Sequence, residues 1–508
     1  MLSNTARIAT NTLMLFFRQI VIILVSLYTV RVVLETLGVE DYGIFNVVGG
    51  VVVLFTFLNS AMTSATQRFL SFALGQNDTE QARNVYSASL VIHAFVAALV
   101  VVLAQTVGLW FFHTWLNIPP ERQTAAFVVY QFSIATMVIG ILRVPYRATI
   151  IAHEKMSFFA KISIAEAMLM LGVVSLLPLS VFDRLMTYAF LVCSTGIVIL
   201  LIHKVYCNRT FAIANFRYCK DKDLFRRFLE FSGWSALGGV ANVSKNHGTN
   251  ILINIFHGVV VNAAMGIATQ VNIAISMFVG NFQTAFNPQI IKSYSAKDYD
   301  YFMRLIFRTS KVSFYLLFFF VLPLYINAGF VLQIWLNTVP EYTVMFTQLI
   351  LLSSLITAIA GPLLMSIQAT GDIKKYQLII SGFIFANLPL SLLFLWIGFS
   401  PVWVLVIRTS LDAFILVWRI FFLSRRINLP ILGFFREVII PILIVAGLSA
   451  SVSVFVRNLF AGDWSRLLAS CIISIISIGC LVYMIGLSRQ ERALLNNWIK
   501  AKTRKNNA

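Results

Sequence analysis

The side chains able to do chemistry lie where the sequence is otherwise most apolar. Within the run 233–257, Asn242, Lys245, Asn246, Thr249 and Asn250 fall on one face of a helix that turns about 100° per residue. Lys245 sits near the middle of that run, too deep for its ammonium to reach water easily. A hydrogen-bonded seam between helices accounts for the asparagines but poorly for the lysine. A water-filled cavity accounts for both, and intramembrane charge is costly enough to need such a reason. The run 43–67 carries a matching stripe of Thr56, Asn59, Ser60, Thr63 and Gln67. Helical Thr and Ser often bond their own backbone, so polar packing and cavity lining are both open there. In span eight, near 260–286, Gln270, Asn281 and Thr284 line one face, and Asn272, Ser276, Gln283 and Asn287 line another, which suits a helix buried between neighbours and lining a cavity.

Charged groups complete the set. Arg18 shares a face with Asn11 and Thr29, where it either snorkels inward or faces a cavity. Arg31 lies on the opposite side and reads first as a residue snorkelling to the outer headgroups. Arg408 and Asp412 are spaced i, i+4 and are expected to pair with each other. Glu166 is either an interface residue or a proton carrier. With Arg408 beside Asp412, Glu166 is the acid left for ion coupling. No catalytic set accompanies these groups. GxxxxGK[ST], HExxH and GxSxG are all missing, the six His are scattered, and the five Cys make no CxxC or metal spacing. No cofactor and no metal is expected, and the pattern is that of binding rather than bond-making.

The elements that hold these residues are membrane helices. Of the 508 residues 59% are hydrophobic and 12% charged, about half the charge of a soluble domain, and the mean hydropathy is +0.84. Apolar blocks of about 20 residues recur without strand-type alternation, which specifies spanning helices and excludes a β-barrel. The blocks predict an all-α integral membrane protein of about fourteen spans. They lie near 12–34, 43–67, 86–111, 125–143, 162–182, 185–205, 233–257, 260–286, 312–330, 343–369, 376–397, 401–420, 438–456 and 467–486. Lys and Arg collect almost wholly in the loops on the side of both termini, which marks that side as cytoplasmic. The net charge of +19 is thus topological, and nucleic acid is not an expected partner. Outer loops are short, leaving no room for an extracytoplasmic catalytic domain.

A shift of 220 residues aligns Thr29 with Thr249, Gly38 with Gly258, Ala65 with Ala285 and Asp78 with Asp298. This predicts two parallel six-helix lobes related by an axis along the membrane normal. The N-terminal lobe would cover 1–207, a basic linker with an interfacial helix 208–232, and the C-terminal lobe 233–426. A hairpin of spans thirteen and fourteen with a basic tail fills 427–508. Breaks are expected at Gly49-Gly50, Pro178, Pro323, Gly361-Pro362 and Pro389.

Two long stretches carry a resemblance. LVSLYTVRVVLETLGVEDYGIFNVVGGVVVLFTFLNSAMTSATQRFLSFALG is one; FSGWSALGGVANVSKNHGTNILINIFHGVVVNAAMGIATQVN, continuing through NFQTAFNPQIIKSYSAKD, is the other. Both resemble the polysaccharide-biosynthesis flippases, notably the O-antigen branch, within the multidrug, oligosaccharidyl-lipid and polysaccharide exporter superfamily. That resemblance implies two six-helix lobes around a central cavity, alternating access, and a bacterial inner-membrane location. It implies a polyprenyl-diphosphate-linked oligosaccharide as the partner, moved from the cytoplasmic to the periplasmic leaflet. By analogy with the lipid II flippases, spans thirteen and fourteen would form a groove for lipid. The charges agree with this. Arg18, Arg31, Lys245 and Arg408 outnumber Glu166 and Asp412, and a diphosphate needs cationic partners. Two other classes stay open: a cation-coupled drug or metabolite antiporter, which would need an essential carboxylate, and a membrane polysaccharide polymerase or ligase.

Overall fold

The computed structural model describes residues 14–488 and 491–493, apart from 27, 30–31, 34–35, 38–40, 42–43, 46–55, 116–117, 218–220 and 337–338. No strand occurs among the described residues. Helix overlies each of the expected spans. The N-terminal portion holds α1 (Met14–Ser26), α2 (Thr56–Gly75), α3 (Thr79–Leu103), α4 (Gln123–Ala152), α5 (Met156–Leu176) and α6 (Arg184–Thr210). Then come α7 (Lys222–Val243), α8 (Thr249–Ser295), α9 (Tyr299–Ile326), α10 (Thr343–Thr370), α11 (Lys374–Phe385) and α12 (Asn387–Trp396). Last are α13 (Val402–Ile427), α14 (Ile440–Asn458) and α15 (Asp463–Leu481). Among the described residues ten helical stretches are long and apolar enough to cross a bilayer. The chain is a multi-pass, all-helical membrane protein.

Contacts divide it into two units, Thr10–Val240 and a second containing Ala241–Ala508. The 220-residue repeat is visible in the backbone of each. Asp78 caps α3 by accepting from the Gln81 amide at 2.8 Å, and Asp298 caps α9 by accepting from the Tyr301 amide at 3.1 Å. The residue before each cap is left-handed, Asn77 at φ 57° and Lys297 at φ 60°. The cap amides return to Ala73 and Ser293 carbonyls at 3.1 and 3.0 Å. α4 and α10 start 220 residues apart as well. Just before them the sequence repeats WLNxxPE, with Trp115, Leu116, Asn117, Pro120 and Glu121 answered by Trp335, Leu336, Asn337, Pro340 and Glu341. That is a stronger sequence match than the four single identities.

Several local expectations change. α4 passes its expected end near 143 and runs through Pro145 to Ala152. Helices likewise continue through Pro323 and Pro362, because neighbouring helices make up for the lost amide. Pro178 sits in the short 3-10 turn that ends span five. Span eleven does break, between α11 and α12 at Ala386, three residues before Pro389, whose missing N–H would have bonded one turn back. Gly49-Gly50 lies outside the described residues. The linker segment expected to form an interfacial helix falls in the first part of α7, which runs on into span seven. The turn expected near 258–259 is absent: α8 stays helical from Thr249 to Ser295. HGVVVN contains no proline and a single glycine, so nothing in it compels a break.

α14 and α15 pair through small residues. Ser449, Ser453, Ser470 and Ser474 are fully buried, the Ser474 hydroxyl donates to Ser453 at 2.8 Å, and Asn327 after α9 donates to Ser470 at 2.7 Å. Serine allows close backbone approach and interhelical hydrogen bonds where lipid supplies neither.

Candidate functional site

In the second unit the polar groups converge on a π-helical turn, Ser244–Gly248, inserted between α7 and α8. Such turns recur at functional sites because they disturb the regular hydrogen-bond ladder. Gly248 lets this turn lie against α12: a Cβ there would stand 2.7 Å from the Leu388 side chain. Lys245 is 8% exposed and Asp412, on α13, 7%. The ammonium donates to Asp412 Oδ1 at 2.6 Å, while Ser353 on α10 donates to Asp412 Oδ2 at 2.5 Å. Thr249 Oγ1 donates to the Lys245 carbonyl at 2.5 Å and lies 3.3 Å from Asn387 Oδ1, placed there by the break before Pro389. Nearby, Ser354 and Ser276 both donate to Asn272 Oδ1, at 2.6 and 3.1 Å.

This corrects the expected Arg408–Asp412 pair. Asp412 is on the buried side of α13 and meets Lys245 from another helix, whereas Arg408 Nε is buried with no hydrogen-bond partner. A spacing of i, i+4 makes a pair available; packing decides which partner is taken. The stripe on span seven is also divided. Lys245 and Thr249 are buried, Asn242 and Asn246 are exposed, and Asn250 is intermediate with its Oδ1 buried and unpartnered. The π turn takes more residues per turn than the 100° rule assumes, which rotates the faces apart.

In the first unit the charges gather around one ring. Arg18 of α1 and Arg147 of α4 each stand over Phe159 of α5, 5.0 Å from its centroid. Arg18 Nη1 also reaches Ser163 Oγ at 3.5 Å. One turn before Arg147, Arg143 Nη1 donates to Glu166 Oε1 at 2.7 Å. Glu166 is therefore ion-paired rather than isolated, and among the described residues the cluster holds three guanidinium groups against one carboxylate. Arg147 keeps an exposed side chain. Sequence reasoning missed Arg143 and Arg147 because span four was expected to end near 143; their i, i+4 spacing was the available signal.

The other expected site residues are scattered. In the first unit Thr63 and Gln67 are half-buried on α2, with Gln67 Nε2 buried and lacking a hydrogen-bond partner. Gln270 on α8 is exposed. Asn59's side chain and the whole of Arg31 lie outside the described residues. Next to Gln67, Arg68 is buried over the rings of Phe69, Phe72 and Phe231, at 4.5, 5.0 and 5.7 Å. Phe228 of α7 stacks on Phe69, which fixes the start of α7 to α2. At the other end of this unit Arg122 bonds Asp41 and also Asp183 Oδ2, the latter at 2.7 Å. Burial pushes the Asp183 carboxyl up, but the Met186 N–H and the Arg122 guanidinium outweigh it and hold Asp183 below its ordinary value. No His, Cys, Asp or Glu cluster among the described residues is able to hold a metal ion.

Solved structures with a similar fold include membrane transporters. An outward-facing multidrug resistance MATE family transporter of the MOP superfamily superimposes with a TM-score of 0.72 at 13% identity, over 84% of this chain and 96% of that one. The fold is that of the MATE transporters. A MATE structure in a straight conformation gives a TM-score of 0.70 at 12% identity, over 84% of this chain and 96% of that one. A third match is a MOP superfamily transporter from Pyrococcus furiosus, described as having a binding pocket of reverse polarity that suggests a different function. It gives 0.67 at 12% identity, over 82% and 95% of the two chains. No protein-family model matches the sequence, nor does any curated protein.

Proposed function

We propose that this MATE-fold protein is a flippase for a polyprenyl-diphosphate-linked oligosaccharide, such as an O-antigen unit of lipopolysaccharide. It would carry that unit from the cytoplasmic to the periplasmic leaflet of a bacterial inner membrane by alternating access. The observation that carries this reading is the pair Arg18 and Arg147 on the two contacts of Phe159, with Arg143 one turn away. Guanidinium groups bind phosphate oxygens through paired, charge-assisted hydrogen bonds, and the ring holds the two cations together against their repulsion. Among the described residues a single carboxylate, Glu166, faces the cluster and is already paired with Arg143, which leaves the cluster positive. A site for cationic drugs requires the opposite sign, and a MOP-fold transporter with a reversed pocket polarity has been described. The membrane potential assists the export of negative charge by about 2.3 kcal/mol per charge per 100 mV.

The second reading, a cation-coupled antiporter, draws on Asp412 and Glu166, the acids within spans; both are ion-paired to cations here. Deletion in the native host followed by mass spectrometry of accumulating lipid-linked sugars tests the two together. Build-up of a polyprenyl-diphosphate oligosaccharide on the cytoplasmic side is the expected result. A cell that loses drug resistance and accumulates no such lipid overturns the flippase.

A further inference from the structure

Beside the π turn of the second unit, two cations are set against one carboxylate. Lys245 takes Asp412 Oδ1 and Ser353 takes Oδ2. Arg408 stands one turn before Asp412 on the same helix with its Nε buried and unpartnered, at a spacing that lets the two side chains meet without moving the backbone. Arg408 is half-buried and already feels the Asp412 charge, so moving the carboxylate's hydrogen bond from one cation to the other exchanges one ion pair for another. The two pairings share one carboxylate, and an anion that binds the released cation selects between them. Lys245 is carried on the π turn, whose relaxed ladder lets it withdraw.

We propose that Lys245 and Arg408 form a two-cation site that Asp412 and a substrate phosphate occupy in exchange, with Arg408 positioning Asp412 so that Lys245 can be released. This rests on the reading of the substrate as a diphosphate. In the arrangement described here Asp412 masks Lys245; in its alternative Asp412 turns to Arg408, and Lys245 faces the phosphate. Ser353 follows the carboxylate in either case, because its hydroxyl can rotate. Asp412 is then a counterion whose place is vacated for the ligand.

Binding of inorganic pyrophosphate to the purified full-length protein in nanodiscs, at low salt, tests the exchange. Each variant is measured as it stands and also in an Arg18→Ala, Arg147→Ala background, which removes the arginine cluster of the first unit so that the Lys245 site is read alone. Arg408→Gln leaves Asp412 permanently on Lys245 and should weaken pyrophosphate binding at least tenfold, while Arg408→Lys should bind within about threefold of wild type. Adding Asp412→Asn to Arg408→Gln unmasks Lys245 and should restore binding. Melting temperatures on the same samples show whether each variant is folded, and the Lys variant keeps the test readable if the Gln variant is not. Wild-type affinity in Arg408→Gln, or a folded double variant that fails to regain binding, overturns the exchange. If wild type binds no pyrophosphate at all, the diphosphate reading falls and the exchange falls with it. If it binds and Arg408 has no influence, only the exchange falls.

Discussion

Around Phe159 two arginines share the ring and a third pairs with a glutamate, whereas at the Ser244–Gly248 turn Lys245 is matched to an aspartate almost wholly removed from solvent. Both places hold more positive than negative charge, yet they handle it differently. At Phe159 charge is kept near the surface and held by polarisable contacts, so it stays available. At Lys245 it is neutralised by a partner 167 residues away, so it is structural until something displaces that partner. Charge in a membrane helix therefore says little about ligand binding until its counterion is known.

The largest expected effect comes from breaking the buried pair. Lys245→Ala or Asp412→Ala alone leaves an uncompensated charge and should cost about 3–5 kcal/mol, seen as lost abundance and a lowered melting temperature in detergent. Lys245→Met with Asp412→Leu should recover most of that stability. Sequence alone leads to the opposite expectation for Lys245→Ala, an inactive protein at normal abundance. Equal stability of the single and double variants would show that the pair is not formed.

Next is Arg147→Ala. Its contact with Phe159 is partly exposed and worth about 0.5–1 kcal/mol, so abundance should hold while surface polysaccharide falls at least tenfold. Export at the wild-type level would detach the arginine cluster from the substrate. Arg18→Ala should behave in the same way, with a greater loss of stability because Arg18 is less exposed than Arg147.

Glu166→Gln releases Arg143 from a pair whose side chains are 23% and 36% exposed, so stability should change by less than about 1 kcal/mol. The cluster becomes more positive, and export should persist. If export instead stops responding to the pH gradient in this variant alone, Glu166 carries a proton and the first unit is the coupling unit.

The smallest effect lies at the Arg122 clamp. Because the folded Asp183 carboxyl sits below its ordinary value, its contribution is complete above the unfolded carboxylate value of about 3.9. It is lost as pH falls through the lower folded value. Wild type should lose melting temperature slightly more steeply than Asp183→Asn as pH falls below about 4. Parallel curves would show that Asp183 contributes nothing there.

The helices themselves were legible because lipid demands long uninterrupted apolar runs, and such runs leave a strong signal. Legible too was the repeat, although its best evidence, Trp115-Leu116-Asn117 against Trp335-Leu336-Asn337, is compositional rather than chemical. What escaped was set by tertiary packing. Pro145 reads as a stop in any single helix, yet its neighbours carry α4 past it and bring Arg147 to Phe159. Asp412 had two possible cations, and only the approach of span seven, rotated by a π turn, selects Lys245. One-residue changes in helical register are invisible to a period of 3.6.

The separation of Lys245 and Asp412 along the chain also bears on how the protein is made. A ribosome adding about 5–20 residues per second needs roughly 10–30 s to cover the interval between them. Span seven thus enters the bilayer well before its counterion exists, with a lysine near its centre. During that time the segment has reason to remain at the insertion machinery or near the interface, settling only when span twelve arrives. Lys311, at the edge of span nine, likewise waits for its partner Glu491, 3.0 Å away, which follows the last span. Each pair makes an early helix of the second unit wait for a later one, so truncated nascent chains that end before Asp412 should crosslink to the translocon for longer than those that include it.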